Sequence, residues 1–581
     1  MRSKSYIIPV ILWAFGSSLQ SQSLGPYASN YHSVGLSQGG TVYAWGRNNV
    51  GQLGDGTTTN RSNPIQVLKG SYSGTTYLGD DSSNKITAVA SGYQHCLALA
   101  ADGTVFAWGL NEHGQLGDNS ATRRSTPVKV VKGDYSGTTY LGDDSDNKII
   151  AIAVGSSHSI AIAADGTVFT WGRNDDGQIG DNTTTDRSTP VKVLKGAYSG
   201  TTYLGDNTSN KISAIEAGRH QCIALASDGT VFTWGDNSDY QLGNNSSDDS
   251  DVPVQVLEGD YSGTTYLGDD SNNKISAVSM GVYHAMALAS DGTVYSWGGG
   301  SEGALGNNGS SSSKTPVRVS MGAYSGTTYL GDDSDNKITA VSAGGYWSSI
   351  ALAEDGTVFS WGYNDPGNLG DGTSTSRSTP IKVLKGAYSG TTYLGDNNSN
   401  KITSVAMGNS HSVALARDGS VFAWGRGTLG QLGDGTSSNR STPVKVTGVG
   451  GSGYLSLDTY APTVSSLSPA DGATGVATTA NLVITFDEEV DAESGNITLY
   501  KSDDTQIQVF DVTSGISGSG GTAITIDPTA DLAEQTSYYV QIAATAFDDA
   551  AGNSYAGITD ETTWNFTSAD ETAPTVSSLS P

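Results

Sequence analysis

Five histidines, His32, His95, His158, His284 and His411, each stand 13 residues before a Trp-Gly dipeptide. Neutral imidazole is a common metal ligand, so nitrogens recurring at one register would suit a metal ring. Gln221 and Ser348 occupy that register in two further units. A hydroxyl there favours a hydrogen-bonding position repeated from unit to unit. A second constellation is acidic. The runs Asp143-Asp144-Ser145-Asp146-Asn147 and Asp332-Asp333-Ser334-Asp335-Asn336 belong to a loop repeated six times, and their carboxylates are candidate calcium ligands because that ion takes six to eight oxygens. The spacing lacks the Asp-x-Asp-x-Asp-Gly register with a distal Glu, and Asp, Asn and Ser are also ordinary turn residues. Asp487-Glu488-Glu489 with Asp491 is a weaker cluster of the same kind. The chain has no Gly-Lys-Ser/Thr phosphate loop, no His-Glu-x-x-His and no Cys-x-x-Cys. These absences give the expectation of a non-enzymatic chain without a resident cofactor.

The elements that must position these residues come from one repeat. Trp-Gly recurs at Trp45, Trp108, Trp171, Trp234, Trp297, Trp361 and Trp424, at intervals of 63 residues with a single 64 between Trp297 and Trp361. Within a unit, Ser159-Ile160-Ala161-Ile162 and Thr167 to Trp171 are apolar or alternating runs on either side of Asp165-Gly166. That dipeptide predicts a tight hairpin with positive φ at both central residues. Pro190 to Leu194, Thr201 to Leu204 and Lys211 to Ile215 complete a small antiparallel sheet of four or five strands. Such a sheet cannot bury both faces alone, so seven of them stack into a ring. Cys96 and Cys222 fall at one register two units apart, too far for the ~7 Å that a disulfide needs between Cα atoms, and are expected to be small core fillers.

The pattern Gly-x-x-His-Ser-x-Ala-Leu, Asp-Gly-Thr-Val-x-x-Trp-Gly-x-Asn, Gly-Gln-Leu-Gly and Pro-Val-x-Val resembles the RCC1 repeat. One unit carries it as His95 to Leu99, Asp102 to Asn111 and Gly114 to Gly117. The resemblance implies an all-β fold, a seven-bladed β-propeller, over residues 24–458. It also implies two kinds of activity: nucleotide exchange on a small nuclear GTPase, or capping of a partner enzyme by one propeller face. The first unit lacks a leading Lys-Ile-x-Ala-Val strand, so Tyr454 to Leu457 are expected to supply the missing strand of the first blade. After Asp458 the repeat stops. Leu482 to Phe486, Ala523 to Ile526, Tyr538 to Ile542 and Trp564 to Phe566 predict a β-sandwich over residues 459–569. It resembles the bacterial Ig-like domains of surface-layer and secreted proteins. Residues 461–469, APTVSSLSP, recur as residues 573–581, so residues 570–581 read as the start of a further module.

Composition narrows the function. With 58 Asp+Glu against 30 Lys+Arg the formal charge is −28, which excludes a general nucleic-acid binder because such binding needs cations to displace counterions. Arg2 and Lys4 ahead of the short apolar run Tyr6 to Phe15 have the order of an export signal over residues 1–23, and that run is too short to span a bilayer. The expectation is therefore a secreted or cell-surface, monomeric propeller acting as a head that binds protein or surface glycan, on an Ig-like stalk. The alternative is an extracellular inhibitor that caps an enzyme; an exported hydrolase is a further one. Binding candidates sit where the repeats differ, in the Gly-x-x-His loops: Tyr93, Gln94, Arg219, His220, Tyr283, Tyr346 and Trp347.

Overall fold

The computed structural model describes residues 31–37, 39–397, 400–458, 461–549 and 553–572. The export segment 1–23 and residues 573–581 of the terminal module lie outside the described residues. The chain divides into two compact units meeting at Leu457 and Asp458. No described helix is long and apolar enough to cross a membrane.

Each repeat folds where its apolar runs predict. In the second blade, Ile86–Ser91, His95–Ala100, Val105–Gly109 and Arg124–Lys129 pair in that order, all antiparallel. Six blades have these four strands. The first has three, His32–Leu36, Val42–Gly46 and Arg61–Gln66. Thr201 to Leu204 is not a full strand; it contributes an isolated bridge, Leu194 to Tyr203, as its counterparts do in other blades.

The Asp-Gly turns differ from the expected type. Gly103 has φ +96° but Asp102 stays at negative φ, and Gly103 N donates to Ala100 O at 2.9 Å. This is a type I turn followed by a left-handed glycine, the three-residue hairpin form. Asp102 Oδ1 accepts from Thr104 N at 2.9 Å, and Asn84 Oδ1 accepts from Asp102 N at 2.9 Å. Those bonds tie Asp102 into the turn with no need for positive φ.

The blades are joined by a buried polar relay. Every repeat Trp is fully buried and donates Nε1–H to a loop carbonyl of the preceding blade: Trp108 to Gln52, Trp171 to Gln115, Trp234 to Gln178, and so on to Trp424 with Asn368, all at 2.9–3.0 Å. Except in the fifth blade, where it is Ala285, the side chain after the His register is a second donor to the same carbonyl. Ser159 Oγ reaches Gln115 O at 2.9 Å and Ser349 Oγ reaches Ala304 O at 3.1 Å. With its proton so directed, the hydroxyl accepts from the preceding blade's imidazole, as His95 Nε2 does to Ser159 at 2.9 Å and His284 Nε2 to Ser349 at 2.8 Å. His32 and His158 meet Cys96 and Cys222 sulfur instead, at 3.1 and 3.2 Å. The cysteines, free and buried, are thus relay members as well as fillers. Burial drives the five imidazole pKa values down to about 3 for His32, His95 and His158 and about 4 for His284 and His411. All five are neutral, with Nε2 protonated. Where the imidazole is missing, a methionine of the next blade fills the space. Met280 Cγ lies 2.8 Å from a Cβ built on Gly218 beside Gln221, and Met407 Cγ lies 2.6 Å from one on Gly344 beside Ser348.

Ring closure repeats this relay rather than adding a strand. Trp45 Nε1 donates to Gln431 O at 2.9 Å, and Ser33 Oγ bonds Gln431 O at 3.1 Å and His411 Nε2 at 2.9 Å. Tyr454 and Leu455 stay with the seventh blade, through the Thr447–Tyr454 bridge and Leu455 N to Val446 O at 3.0 Å. That is the position of Tyr77 and Leu78 in the first repeat, so the expected donation to the first blade fails for a local reason. Leu455 and Leu457 instead join the apolar cluster of Trp45, Val421 and Val446 that fills the closing seam.

The second unit is a two-sheet sandwich. One sheet holds Val464–Ser468, Leu482–Ala492, Gly521–Ile526, Ile516–Ser517 and Phe547–Asp549; the other holds Ala473–Val476, Asn565–Ser568, Ser537–Ile542, Asn496–Lys501 and Gln506–Asp511. Its core gathers Leu482, Ile484, Phe486, Val540, Phe547 and Trp564, whose Nε1 donates to Pro469 O at 2.9 Å.

Candidate partner-binding face

In every blade the residue before the His register and the residue after Trp-Gly are tied together. Arg47 N donates to Tyr31 O, Leu110 N to Gln94 O, Arg173 N to Ser157 O, Asp236 N to His220 O, Gly299 N to Tyr283 O, Tyr363 N to Trp347 O and Arg426 N to Ser410 O, all at 2.7–3.0 Å. The glycine between is required. At Gly46, φ is +106° and a Cβ would lie 2.6 Å from Tyr31 O. Seven residue pairs of varying type, one of them ending in Gly299, therefore ring one face of the propeller.

The pairs fall into two arcs. On the fifth and sixth blades Tyr283 stacks on Trp347, with centroids 4.8 Å apart, and on Tyr346 at 6.3 Å. The 64-residue interval falls here: Gly281-Val282-Tyr283-His284 becomes Gly344-Gly345-Tyr346-Trp347-Ser348. The added residue is absorbed by Trp347 at φ +54°, a left-handed conformation rare for a bulky side chain. Tyr346 is left 38% exposed. Between the sixth and seventh blades lies a pocket of about 480 Å³, lined by Tyr346, Trp347, Tyr363, Asp365, Pro366, Ser410, Arg426, Thr428 and Asn439. Beyond it, the Arg426 and Arg47 guanidinium groups sit 5.3 and 5.6 Å from the Tyr31 ring centroid, and Tyr93 meets Tyr31 edge-on at 6.5 Å.

The opposite arc, on the third and fourth blades, is ionic. Arg173 chelates Asp175, and its Nη1 lies 3.1 Å from His220 Nε2. His220 Nδ1 lies 2.7 Å from Asp176 Oδ2. Burial, then Arg173 and Arg219, pull the His220 pKa down to about 4. The ring is therefore neutral, accepting at Nε2 and carrying its proton at Nδ1. Burial, with Asp175 and Asp236 nearby, raises Asp176 to about 6.

Of the residues expected to bind, Tyr283, Tyr346 and Trp347 converge, and Tyr93 belongs to the same arc across Tyr31. Arg219 and His220 belong to the ionic arc. Gln94 is buried and spent on Asn49 Oδ1 at 3.0 Å, so it offers no anchor. Tyr31, Arg47, Tyr363 and Arg426 were not foreseen, although the position after Trp-Gly varies from repeat to repeat as visibly as the Gly-x-x-His loops do.

The acidic loops lie at the other end of the blades. Asp143 accepts from Thr138 N, Thr138 Oγ1, Thr139 N and Tyr140 N at 2.8–3.0 Å, and Asp332 repeats this with Thr327, Thr328 and Tyr329 at 2.8–3.0 Å. Partial burial alone would raise these carboxyl groups, but the donors hold both below the usual value. Asp144 and Asp333 accept from Ser136 and Ser325, and from the backbone N–H of Asp146 and Asp335. A calcium ion would have to displace these donors, so the geometry gives the loops a structural role. In the sandwich, Asp487 is engaged by Thr463 N and Oγ1, both at 2.7 Å. Glu488 alone of the expected cluster meets other carboxylates, those of Asp458 and Asp549, within 4.8 Å.

Known proteins share the repeat and the second domain. The RCC1-like domain family matches residues 23–329 and, overlapping, 141–467; the bacterial Ig-like domain family matches residues 458–568. The ultraviolet-B receptor UVR8 of Arabidopsis thaliana is 28% identical over 462 residues, 79% of this chain and 88% of the receptor. The E3 ubiquitin-protein ligase HERC2 of Homo sapiens is 27% identical over 414 residues, 70% of this chain but 7% of the ligase. Among solved structures, human WBSCR16 matches with a TM-score of 0.55 at 21% identity over 70% of this chain and 94% of its own. Prp20p of Saccharomyces cerevisiae does so at 0.54 and 22% over 74% and 88%. Both show likeness of fold.

Proposed function

This chain belongs to the RCC1-like domain family, and we propose that its propeller is a non-enzymatic, exported protein-binding head whose aromatic arc holds the partner, with the bacterial Ig-like domain as part of its stalk. Relatives as different as a light receptor and a ubiquitin ligase share the repeat, so the fold does not carry the activity, and the site must. The observation that carries the reading is the lengthened loop that seats Trp347 at φ +54° and turns Tyr346 outward beside Tyr283. Strained backbone of this kind persists where surrounding structure over-determines it and clusters at ligand-binding sites. Tyr, Trp and Arg are also the side chains that dominate protein interfaces. Export rests on the basic and apolar order of residues 1–23.

The test is a photo-crosslinking amino acid placed at Tyr346, with Thr139 on the opposite loops as control, in the full chain added to cells of the source organism. A protein partner captured from position 346 and not from 139 is expected. Equal capture from both positions, or none, removes the reading. Mature protein found only in the cytosol removes the export part.

A further inference from the structure

Several arginines of this acidic propeller are committed to carboxylates. Arg61, Arg124, Arg187, Arg377 and Arg440 each pair with the Asp six residues upstream, and Arg173 pairs with Asp175. Arg47 and Arg426 are different. Neither guanidinium meets a carboxylate among the described residues. Arg426 spends Nε on Thr428 Oγ1 at 3.1 Å, and both rest by the Tyr31 ring. The two centroid distances place them no more than about 11 Å apart. Two uncompensated cations on a chain of net charge −28 make a local island of positive potential, because screening confines each charge to about 8 Å at physiological ionic strength. The island borders the 480 Å³ pocket, where Arg426 lines the wall with Trp347, Tyr346 and Tyr363 and the one carboxylate is Asp365, so the excess of positive charge comes from Arg47 beside it.

Resting on the reading of this face as partner-binding, we propose that the pocket between the sixth and seventh blades receives an extended acidic segment of the partner protein. Its carboxylates meet Arg426 and Arg47, and an adjacent apolar or aromatic side chain lies against Trp347 and Tyr346. The spacing follows from the chain. An extended strand advances about 3.3 Å per residue, so carboxylates two or three residues apart span roughly 7–10 Å, the reach of the two guanidinium groups. Guanidinium and carboxylate form charge-assisted, bidentate hydrogen bonds, and an aromatic wall adds apolar area beside them. Charge complementarity selects the partner's sign, and the pocket selects the neighbouring side chain.

The experiment is selection of random phage-displayed dodecapeptides against the full chain at low salt, followed by fluorescence anisotropy of the enriched peptides. The expected consensus has two Asp or Glu separated by one or two residues and an apolar neighbour. Affinity should fall at least tenfold for Arg426→Glu and for Trp347→Ala, and fall again as salt rises. Lys in place of the peptide's acidic residues should restore binding to Arg426→Glu. Unchanged melting of the variants, all at half-buried positions, shows that they fold. A basic or uncharged consensus overturns the proposal, as do acidic peptides indifferent to Arg426→Glu and Arg47→Glu, or no enrichment at all. Glucuronate binding where no peptide enriches would give the pocket to acidic glycans and also overturn it. A partner crosslinked at position 346 without acidic preference leaves the protein-binding head standing and removes this proposal alone.

Discussion

The propeller and the Ig-like sandwich are both all-β, yet they bury polarity in opposite ways. In the propeller, each seam carries an indole on a loop carbonyl of the preceding blade, six of the seven add a hydroxyl or thiol on that carbonyl, and five add a neutral imidazole. In the sandwich a single core of aliphatic and aromatic side chains holds one indole hydrogen bond, from Trp564 to Pro469. All seven histidines of the chain lie in the propeller and none in the sandwich. The difference teaches that a repeat which cannot bury its own faces uses polar side chains to fix how neighbours meet, where a closed core relies on shape.

Acid should separate the two units most strongly. A histidine whose folded pKa is depressed contributes stability that is present above its unfolded value of about 6.5 and is lost as pH falls toward the folded value. For His32, His95, His158, His284 and His411 that window runs from about 6.5 down to about 3–4. A tenfold loss of proton affinity on folding is worth about 1.4 kcal/mol, so one such loss at each of the five imidazoles sums to about 7 kcal/mol, comparable with the ~5–15 kcal/mol that holds an ordinary domain. Calorimetry of the full chain from pH 7.5 to 4 should show the propeller transition collapsing while the sandwich transition holds. Transitions that move together would break the comparison.

Next in size is Trp234→Ala. It empties a fully buried site and removes the stronger of the two donors on Gln178 O, leaving only the Cys222 thiol, and is expected to cost about 3–5 kcal/mol, read as a lower melting temperature of the propeller alone. Trp564→Ala should mirror it in the sandwich. Asp143→Ala releases three backbone N–H groups in an exposed loop where water replaces the carboxylate, so a loss near 1 kcal/mol is expected, measurable by urea denaturation. The smallest effect at neutral pH belongs to His284→Gln. Gln221 already serves that register, so melting at pH 7.5 should shift by under about 1 kcal/mol. Between pH 6.5 and 5 the same variant should flatten the loss of stability by one proton. An unchanged slope would detach the imidazoles from the acid response.

Much of this architecture was legible in residue order. The Trp-Gly spacing and the apolar runs around Asp-Gly located the strands, since both depend on neighbours in sequence. The features that were missed depend on neighbours in space. Asp102 lies at negative φ because Asn84, 18 residues away, ties down its N–H. Tyr454 and Leu455 looked like a spare strand, yet Thr447 and Val446 of their own blade hold them. The single 64-residue interval was visible. Its consequence, a tryptophan at positive φ beside Tyr283, needed the fifth and sixth blades side by side. The share of the position after Trp-Gly in the face followed from the Tyr363 N to Trp347 O bond, which no spacing within one repeat reveals.

The relay also has a direction. Indole and hydroxyl protons point back to the preceding blade and imidazole protons point forward, so most blades offer the same plug on one side and the same socket on the other. A seam of that kind cannot tell the second blade from the sixth. Neighbours are sorted by the chain connections between blades and by the two irregular joints, Gln221 with Met280 and Ser348 with Met407. The ring is thus assembled by tether length more than by recognition, and a tandemly duplicated blade would enter the chain already compatible with both of its neighbours.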